Sequence, residues 1–335
     1  MKITGTDADA LFFSVYIWNS DYIKRLIHDI KTAVPEIIIV LGGPQASSLF
    51  EDISPKVTLV RGEIEGVDPS FYIDLALKNL RPLYTCKPMP RFDFPYTDDD
   101  FENQLKNRNI YYESSRGCPF SCSYCLSSIS KGINSTDISR VEEELSILIK
   151  QKPTIVRFVD RTFNADPKRA LQIWSFILKN TPPSSCYHFE IAPDLFTEEM
   201  FAFLETVPKG LFQFEIGIQS INVDTLTAVN RKMDIEKAFI TIKRLLSFNT
   251  IHLHIDLILG LPNDSVQSFQ KSFRALFKLH PHYIQMGLLK VLPDTGIESS
   301  AKEYSIKFCR KPPYQVLSTK WMTHSEIRHL YLFGE

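Results

Sequence analysis

No apolar run in this chain approaches the ~18 residues that a membrane-spanning helix needs. The longest, EIIIVLGG and IDLILGLP, fall well short. The opening MKITGTDADA lacks the charged-then-apolar pattern of a secretory signal. Neither sign of charge is in excess. With 38 basic and 39 acidic residues the net charge is -1, which excludes bulk attraction to nucleic acid or an anionic membrane. Cysteine is scarce, six in 335 residues. Without a signal, that argues against a secreted disulfide scaffold and for metal binding or catalysis in a reducing, cytoplasmic compartment. There is no residue-level repeat and no low-complexity tract.

What is present is ordinary globular composition, 44% hydrophobic and 23% charged, at a length that suggests about two domains. ALFFSVYIW, EIIIVLGG and VTLVRGE read as short strands, with DYIKRLIHDIKTAV and PSFYIDLALKNL as helices between and after them. Residues 1–82 are therefore expected to form an incomplete open α/β domain. The proline-, aromatic- and acid-rich stretch at 83–108 reads as a linker. From 109 to 295, six strand candidates alternate with five helix candidates at 137–151, 166–180, 197–207, 234–248 and 264–279. Six such repeats predict a partial (β/α)6 barrel, whose function sits on the loops after the strands. Residues 296–335 read as the start of a further C-terminal region.

The sharpest feature is ESSRGCPFSCSYCLSS, in which Cys118, Cys122 and Cys125 are spaced Cys-x3-Cys-x2-Cys. Thiolates suit zinc and iron–sulfur clusters. A structural zinc site needs four protein ligands, so a distant His188, His252 or His254 would have to supply the fourth. A 4Fe–4S cluster ordinarily takes four cysteines, so three leave one iron with an open position. Gly117 permits a tight turn, Pro119 removes a backbone donor, and Tyr124 places an aromatic before the last thiol. The segment follows the first barrel strand. The cluster is the favoured reading, with zinc or unligated thiols as the alternatives. Cys86, Cys186 and Cys309 are scattered and read as ordinary thiols.

This cysteine motif resembles the signature of radical S-adenosylmethionine (SAM) enzymes. With FVDRTFN, FEIGIQS, LHIDLILGLP and GLLKVLPDT, it resembles in particular the subgroup that carries a cobalamin-binding domain and an uncharacterised C-terminal domain. The resemblance covers roughly residues 10 to 320. It implies a 4Fe–4S cluster on the three cysteines, SAM bound at the open iron, and reductive cleavage to a 5'-deoxyadenosyl radical. A ferredoxin- or flavodoxin-type electron donor is implied, and cobalamin-linked methyl transfer or rearrangement would follow if cobalamin binds. The rival expectations are an inactive cluster-binding remnant and a zinc-binding interaction module.

Strand ends are then expected to face SAM. Asp160, Glu190, Glu215, Gln219 and Ser220 offer acceptors for ribose hydroxyls and an ammonium group. Asp256 ends the fifth strand, and the resemblance places Leu259 near the adenine. The competing reading pairs these carboxylates with Arg157, Arg161 and Arg231 as structural ion pairs. His252 and His254 alternate on one strand face and read as core histidines rather than metal ligands. His324 and His329 carry a weaker signal still.

The N-terminal strands resemble the later strands of a flavodoxin-like cobalamin domain. The resemblance puts Ser14, Gly42 and Gly43 along the slot for the nucleotide tail. The Asp-x-His-x-x-Gly loop common in such domains does not occur, and roughly two strands and a helix are missing. The chain is thus expected to be truncated or internally initiated.

Overall fold

The computed structural model describes residues 5, 7–53, 57–87, 92–129, 132–182 and 184–334. Two compact units emerge, residues 1–92 with 309–314, and residues 93–308 with 315–335.

The first unit is a parallel sheet of β1 (Ala10–Ser14), β2 (Ile38–Gly42), β3 (Thr58–Arg61) and β4 (Leu83–Thr85), hydrogen-bonded in that order. Helices α1 (Ser20–Ala33), α2 (Ala46–Ile53) and α3 (Ser70–Ala76) connect the strands. Ile23, Ile27 and Ile30 recur at helical spacing, so α1 buries one stripe against Ile39, Leu41 and Leu59. Val40 and Val60 point to the opposite face and pack on Phe71 and Tyr84. Both faces are covered, which is why these strands read as continuous apolar runs. The linker expected at 83–108 is corrected at its start, since Leu83–Thr85 pairs with β3. Three residues in a proline-rich stretch are too short to show a period. The chain also returns to this unit at 309–314, where Gln45 Nε2 donates to Tyr314 Oη at 2.6 Å, both side chains buried.

The second unit is built on six parallel strands. They are β5 (Ile110–Tyr112), β8 (Ile155–Phe158), β9 (Cys186–Glu190), β10 (Phe212–Gln219), β11 (His252–Leu259) and β12 (Tyr283–Leu288), paired in that order. Between β5 and β8 lies an antiparallel hairpin of β6 (Ser115–Cys118) and β7 (Gly132–Ser135). Helices α4 (Ile138–Lys150), α5 (Pro167–Asn180), α6 (Glu198–Glu205), α7 (Val223–Ala228), α8 (Ile235–Phe248) and α9 (Val266–Phe277) follow their strands. Several of their starts carry side-chain caps. Thr197 accepts from Met200 N, and Asp234 from Lys237 N. The sheet does not close, because β5 and β12 remain edges, so the partial barrel holds.

Along β10, Phe212, Phe214, Ile216 and Ile218 are fully buried, while Gln213, Glu215, Gly217 and Gln219 are only half-buried. The first set packs under the helices around Trp174, whose ring stacks on Phe214 at 5.5 Å. The second set faces the barrel interior. The C-terminal stretch, α10 (Gly296–Ser300), β13 (Lys307–Phe308), β14 (Val316–Ser318) and α11 (His324–Gly334), does not open a new unit as expected. Val316 N donates to Leu289 O at 2.9 Å, and Ile327 and Leu330 join the barrel core.

Gly117 is fixed by its surroundings. Its φ is +95°, and a β-carbon there would collide with the Gly132 carbonyl across the hairpin. Gly117→Ala is expected to destabilise the protein by about 2 kcal/mol or more, from backbone strain alone. A urea midpoint left unchanged would refute that.

Candidate functional site

One cavity of about 230 Å³ at the strand ends gathers the candidate chemistry. Cys118, Cys122, Tyr124 and Cys125 line it, together with Glu190, Glu215, Gln219 and Asp256. The cysteine loop is held from three sides. Ser123 N donates to Val229 O at 2.9 Å, Ile297 N donates to Ser123 O at 2.8 Å, and Asn230 Nδ2 donates to Ser121 O at 3.0 Å. Thus the end of α7 and the start of α10 fix the loop that the hairpin projects. Cys118 Sγ lies 3.3 Å from Thr162 Oγ1, and Cys122 is 5% exposed.

Arg231 enters from the loop after α7. Its Nη1 donates to Cys122 Sγ at 3.6 Å and to Tyr124 Oη at 3.4 Å, while Nη2 donates to the Gly217 carbonyl. A positive charge therefore sits beside one thiol and the motif's aromatic. The sequence offered Arg231 as a partner for strand-end carboxylates. The structure instead commits it to the cysteine loop and a backbone oxygen.

Asp160 has a different place from the one expected. It is 1% exposed and lies outside the cavity lining. Its carboxylate accepts from Ser114 N at 2.9 Å, Ser114 Oγ at 2.6 Å and Ser115 Oγ at 2.6 Å. It ties the base of the hairpin to the end of β8. Burial pushes its carboxyl upward against those hydrogen bonds. Ser220 is also fully buried, its Oγ accepting from Asn222 N at 3.1 Å. Leu259 is fully buried in the apolar core beneath the helices and does not line the cavity.

The remaining carboxylates stand side by side. Glu190 on β9 and Glu215 on β10 are register partners, and Asp256 on β11 is the partner of Gly217. His188 Nε2 lies 3.0 Å from Glu215 Oε2, and this hydrogen bond holds the Glu215 carboxyl below its usual range. Desolvation pushes Glu190 up to about 7 and, with Glu215 adjacent, Asp256 up to about 8. His254 Nε2 is 3.6 Å from Asp256 Oδ1, beyond hydrogen-bond reach, and its ring meets Tyr283 edge-on at 4.5 Å. His252 packs on His282 at 4.7 Å. Gln219 adopts φ +69° at a register shift in β10. Among the described residues, Gln219 Oε1, Asp256 Oδ1 and Arg231 Nε are buried without a hydrogen-bond partner. Unpaired polar atoms on a cavity wall are what a missing polar ligand leaves.

A raised carboxyl binds its proton more tightly folded than unfolded. Its contribution is therefore full below the unfolded value and is lost as pH rises toward the folded one. For Asp256 that window runs from 3.8 to about 8, and for Glu190 from 4.5 to about 7. Asp256→Asn is thus expected to raise the urea midpoint more at about pH 8 than at about pH 5. Equal effects at both pH values would contradict the assignment.

The lining residues that sequence reasoning left unassigned are Phe120, Ser127, Thr162, Ile191, Ala192 and Gly217, while Arg161 had been offered only as a structural ion-pair partner. Thr162 and Arg161 follow the second barrel strand directly, so the strand-end rule reaches them. Ser14 and Gly42, in the first unit, are register partners at the carboxyl edge of its sheet. Gly43 has φ +96°, and a β-carbon there would meet Val15 backbone atoms at 2.8 and 2.9 Å. The chain's own packing therefore requires that glycine. No such crowding requires Gly42, where the nearest atom would be Val60 O at 4.0 Å. Among the described residues, no group of three His, Cys, Asp or Glu side chains converges to hold a single metal ion. A cluster that gives each thiolate its own iron does not need that convergence. No described helix is long and apolar enough to cross a membrane.

Comparison with known proteins places these features. Residues 112–276 match the family model for the radical SAM superfamily. The chain is 23% identical to a 2-(S-pantetheinyl)-carbapenam-3-carboxylate methyltransferase of Streptantibioticus cattleyicolor, over 89% of this chain and 49% of that protein. It is 22% identical to the cobalamin-dependent radical SAM methyltransferase TokK of Streptomyces tokunonensis, over 92% of this chain and 51% of that one. The chain thus spans about half the length of these curated relatives. Its fold matches the radical SAM methyltransferase TsrM of Kitasatospora setae with TM-score 0.73 and 16% identity, over 98% of this chain and 72% of that chain. It matches the cobalamin-dependent SAM radical enzyme OxsB with TM-score 0.75 and 12% identity, over 98% and 58%.

Proposed function

We propose, from the premise that this chain carries a radical SAM domain over residues 112–276, that its cavity holds a 4Fe–4S cluster and SAM. The observation that carries this reading is that one cavity is lined both by three loop thiols and by unpaired, buried polar atoms. The donor set fits the group, with soft sulfur on one side and oxygen acceptors on the other. When bound, the cluster and SAM together supply a low-potential electron and a 5'-deoxyadenosyl radical that abstracts hydrogen.

The chain's own residues bind and orient. Cys118, Cys122 and Cys125 would hold the irons. Arg231 places its charge beside Cys122 and steadies Tyr124. Glu215, kept ionised by His188, would accept from an ammonium or a ribose hydroxyl. Gln219, held at the register shift, turns an amide toward the same space. Glu190 and Asp256 add acceptors on the flanking strands. The apolar core beneath the strands excludes water from the far side. A ferredoxin- or flavodoxin-type donor would deliver the electron.

Methyl transfer is the reaction class that the curated relatives favour, since both aligned proteins are methyltransferases. Cobalamin is the narrower part of this reading. Ser14 beside Gly42, with no protein atom crowding Gly42, leaves a bare edge of the first sheet. Against it, the four described strands run in order without reversal, so they contain no topological switch point of the kind that usually seats such a ligand. The test is anaerobic. Cluster-loaded protein with dithionite and SAM is expected to produce 5'-deoxyadenosine, and absence of that product overturns the proposal. Added cobalamin that leaves no corrinoid absorbance on the protein overturns the cobalamin part alone.

A further inference from the structure

We propose that Glu190, Glu215 and Asp256 form a proton-linked receptor for a cationic ligand group, in which entry of the cation displaces protons from Glu190 and Asp256. This rests on the reading of the cavity as the SAM site, and it adds a thermodynamic coupling to that reading.

The geometry carries it. Three carboxylates on three adjacent strands face one cavity, with Glu190 and Glu215 in direct register and Asp256 one pleat further on. Glu215 is held by His188 at 3.0 Å and also interacts with the Asp256 carboxyl. Of the nearby cations, Arg161 lines the same cavity, and the others are committed or set back. Arg231 is spent on Cys122, Tyr124 and the Gly217 carbonyl. Arg161 is exposed. His254, beside Asp256, is shifted by burial toward its neutral form. Arg157, on β8, is in register with His188, one row below Glu190 and Glu215. Tyr283 on β12 pairs with His254. Like charges crowded in a poorly solvated site do not all ionise together, so protons occupy part of the cluster. The upward shifts of Glu190 and Asp256 agree with this.

A sulfonium is a permanent cation that cannot give up its charge by losing a proton. Placed against this cluster it favours the ionised carboxyls, and the displaced protons pass to the buffer. No covalent bond of the ligand changes in this step. Near pH 7, Asp256 is the larger proton source and Glu190 the smaller, since their values lie at about 8 and about 7.

The test is calorimetric and needs no turnover. Anaerobic, cluster-loaded protein is titrated at about pH 7 with SAM, and separately with S-adenosylhomocysteine, in two buffers of different ionisation enthalpy. The sulfonium makes the α-amino group of SAM more acidic than that of S-adenosylhomocysteine, so each free ligand's own amino titration is measured and subtracted before the comparison. SAM is expected to release more protons than S-adenosylhomocysteine, and the excess shrinks in Asp256→Asn and in Glu190→Gln. The ratio of the two affinities is expected to rise with pH, by up to about tenfold per unit for each proton displaced, and to level off above about pH 9. Should either variant fail to fold, that wild-type ratio decides alone. SAM that binds with a pH-independent ratio overturns the proton linkage and leaves the SAM site standing. SAM that does not bind to cluster-loaded protein overturns both.

Discussion

Replacing Cys122 with alanine is expected to leave a folded protein that assembles no 4Fe–4S cluster and yields no 5'-deoxyadenosine from SAM. The expectation follows from the thiol count. Three cysteines already leave one iron without a protein ligand, so a two-thiol loop strips a second iron. Cys122 is also the thiol that receives Arg231 and is the most buried of the three. The fold survives because the loop's anchors at Ser121, Ser123 and Ile297 run through backbone atoms and Asn230, not through the thiol. The unfolding free energy should fall by about 1 kcal/mol or less, the cost of a small partly packed truncation. Iron and sulfide analysis after anaerobic reconstitution decides the matter. A variant that retains the parent's full iron and sulfide would remove Cys122 from the ligand set.

The second large effect lies outside the cavity. Asp160→Ala is expected to destabilise the protein by about 3 kcal/mol, because it orphans a backbone amide and two hydroxyls that all lie in the buried base of the hairpin. Part of that cost is offset, since the mutation also removes a carboxylate that burial disfavours. Asp160→Asn keeps the shape and one acceptor, and is expected to cost about 1 kcal/mol. Because the hairpin carries the cysteine loop, both variants should also lower the iron content in step with their loss of stability. Wild-type stability together with abolished SAM binding in Asp160→Asn would return Asp160 to the role the sequence first suggested.

That reassignment shows where sequence reasoning stops. The longer barrel strands and the five helices were readable because each carries its period plainly. FQFEIGIQ alternates at two residues, and the helices repeat apolar side chains at three to four. The β4 strand and the β6–β7 hairpin were not readable, being three and four residues long without a period of their own. The docking of α11 onto the barrel depends on long-range contacts that no local pattern announces.

Of the cavity lining, the three cysteines were legible from their spacing, Glu190 and Gln219 from their places at strand ends, and Glu215 from the alternation along β10. Leu259 was misplaced although the parity was available. Leu253, Leu257 and Leu259 share one face of β11, so Leu259 and Asp256 cannot both face the cavity. Arg231 escaped assignment to the cysteine loop for a different reason. It stands twelve residues beyond Gln219, past a short helix, and reaches back across the fold to a loop more than a hundred residues earlier.

The central claim is that three loop thiols hold a cluster whose remaining iron is open to a ligand. The most direct measurement is metal and sulfide analysis of anaerobically reconstituted protein, followed by electron paramagnetic resonance of its reduced form with and without SAM. The account predicts about four irons and four sulfides per chain and a spectrum that changes when SAM is added. Zinc in place of iron, or a cluster whose spectrum is indifferent to SAM, would contradict it.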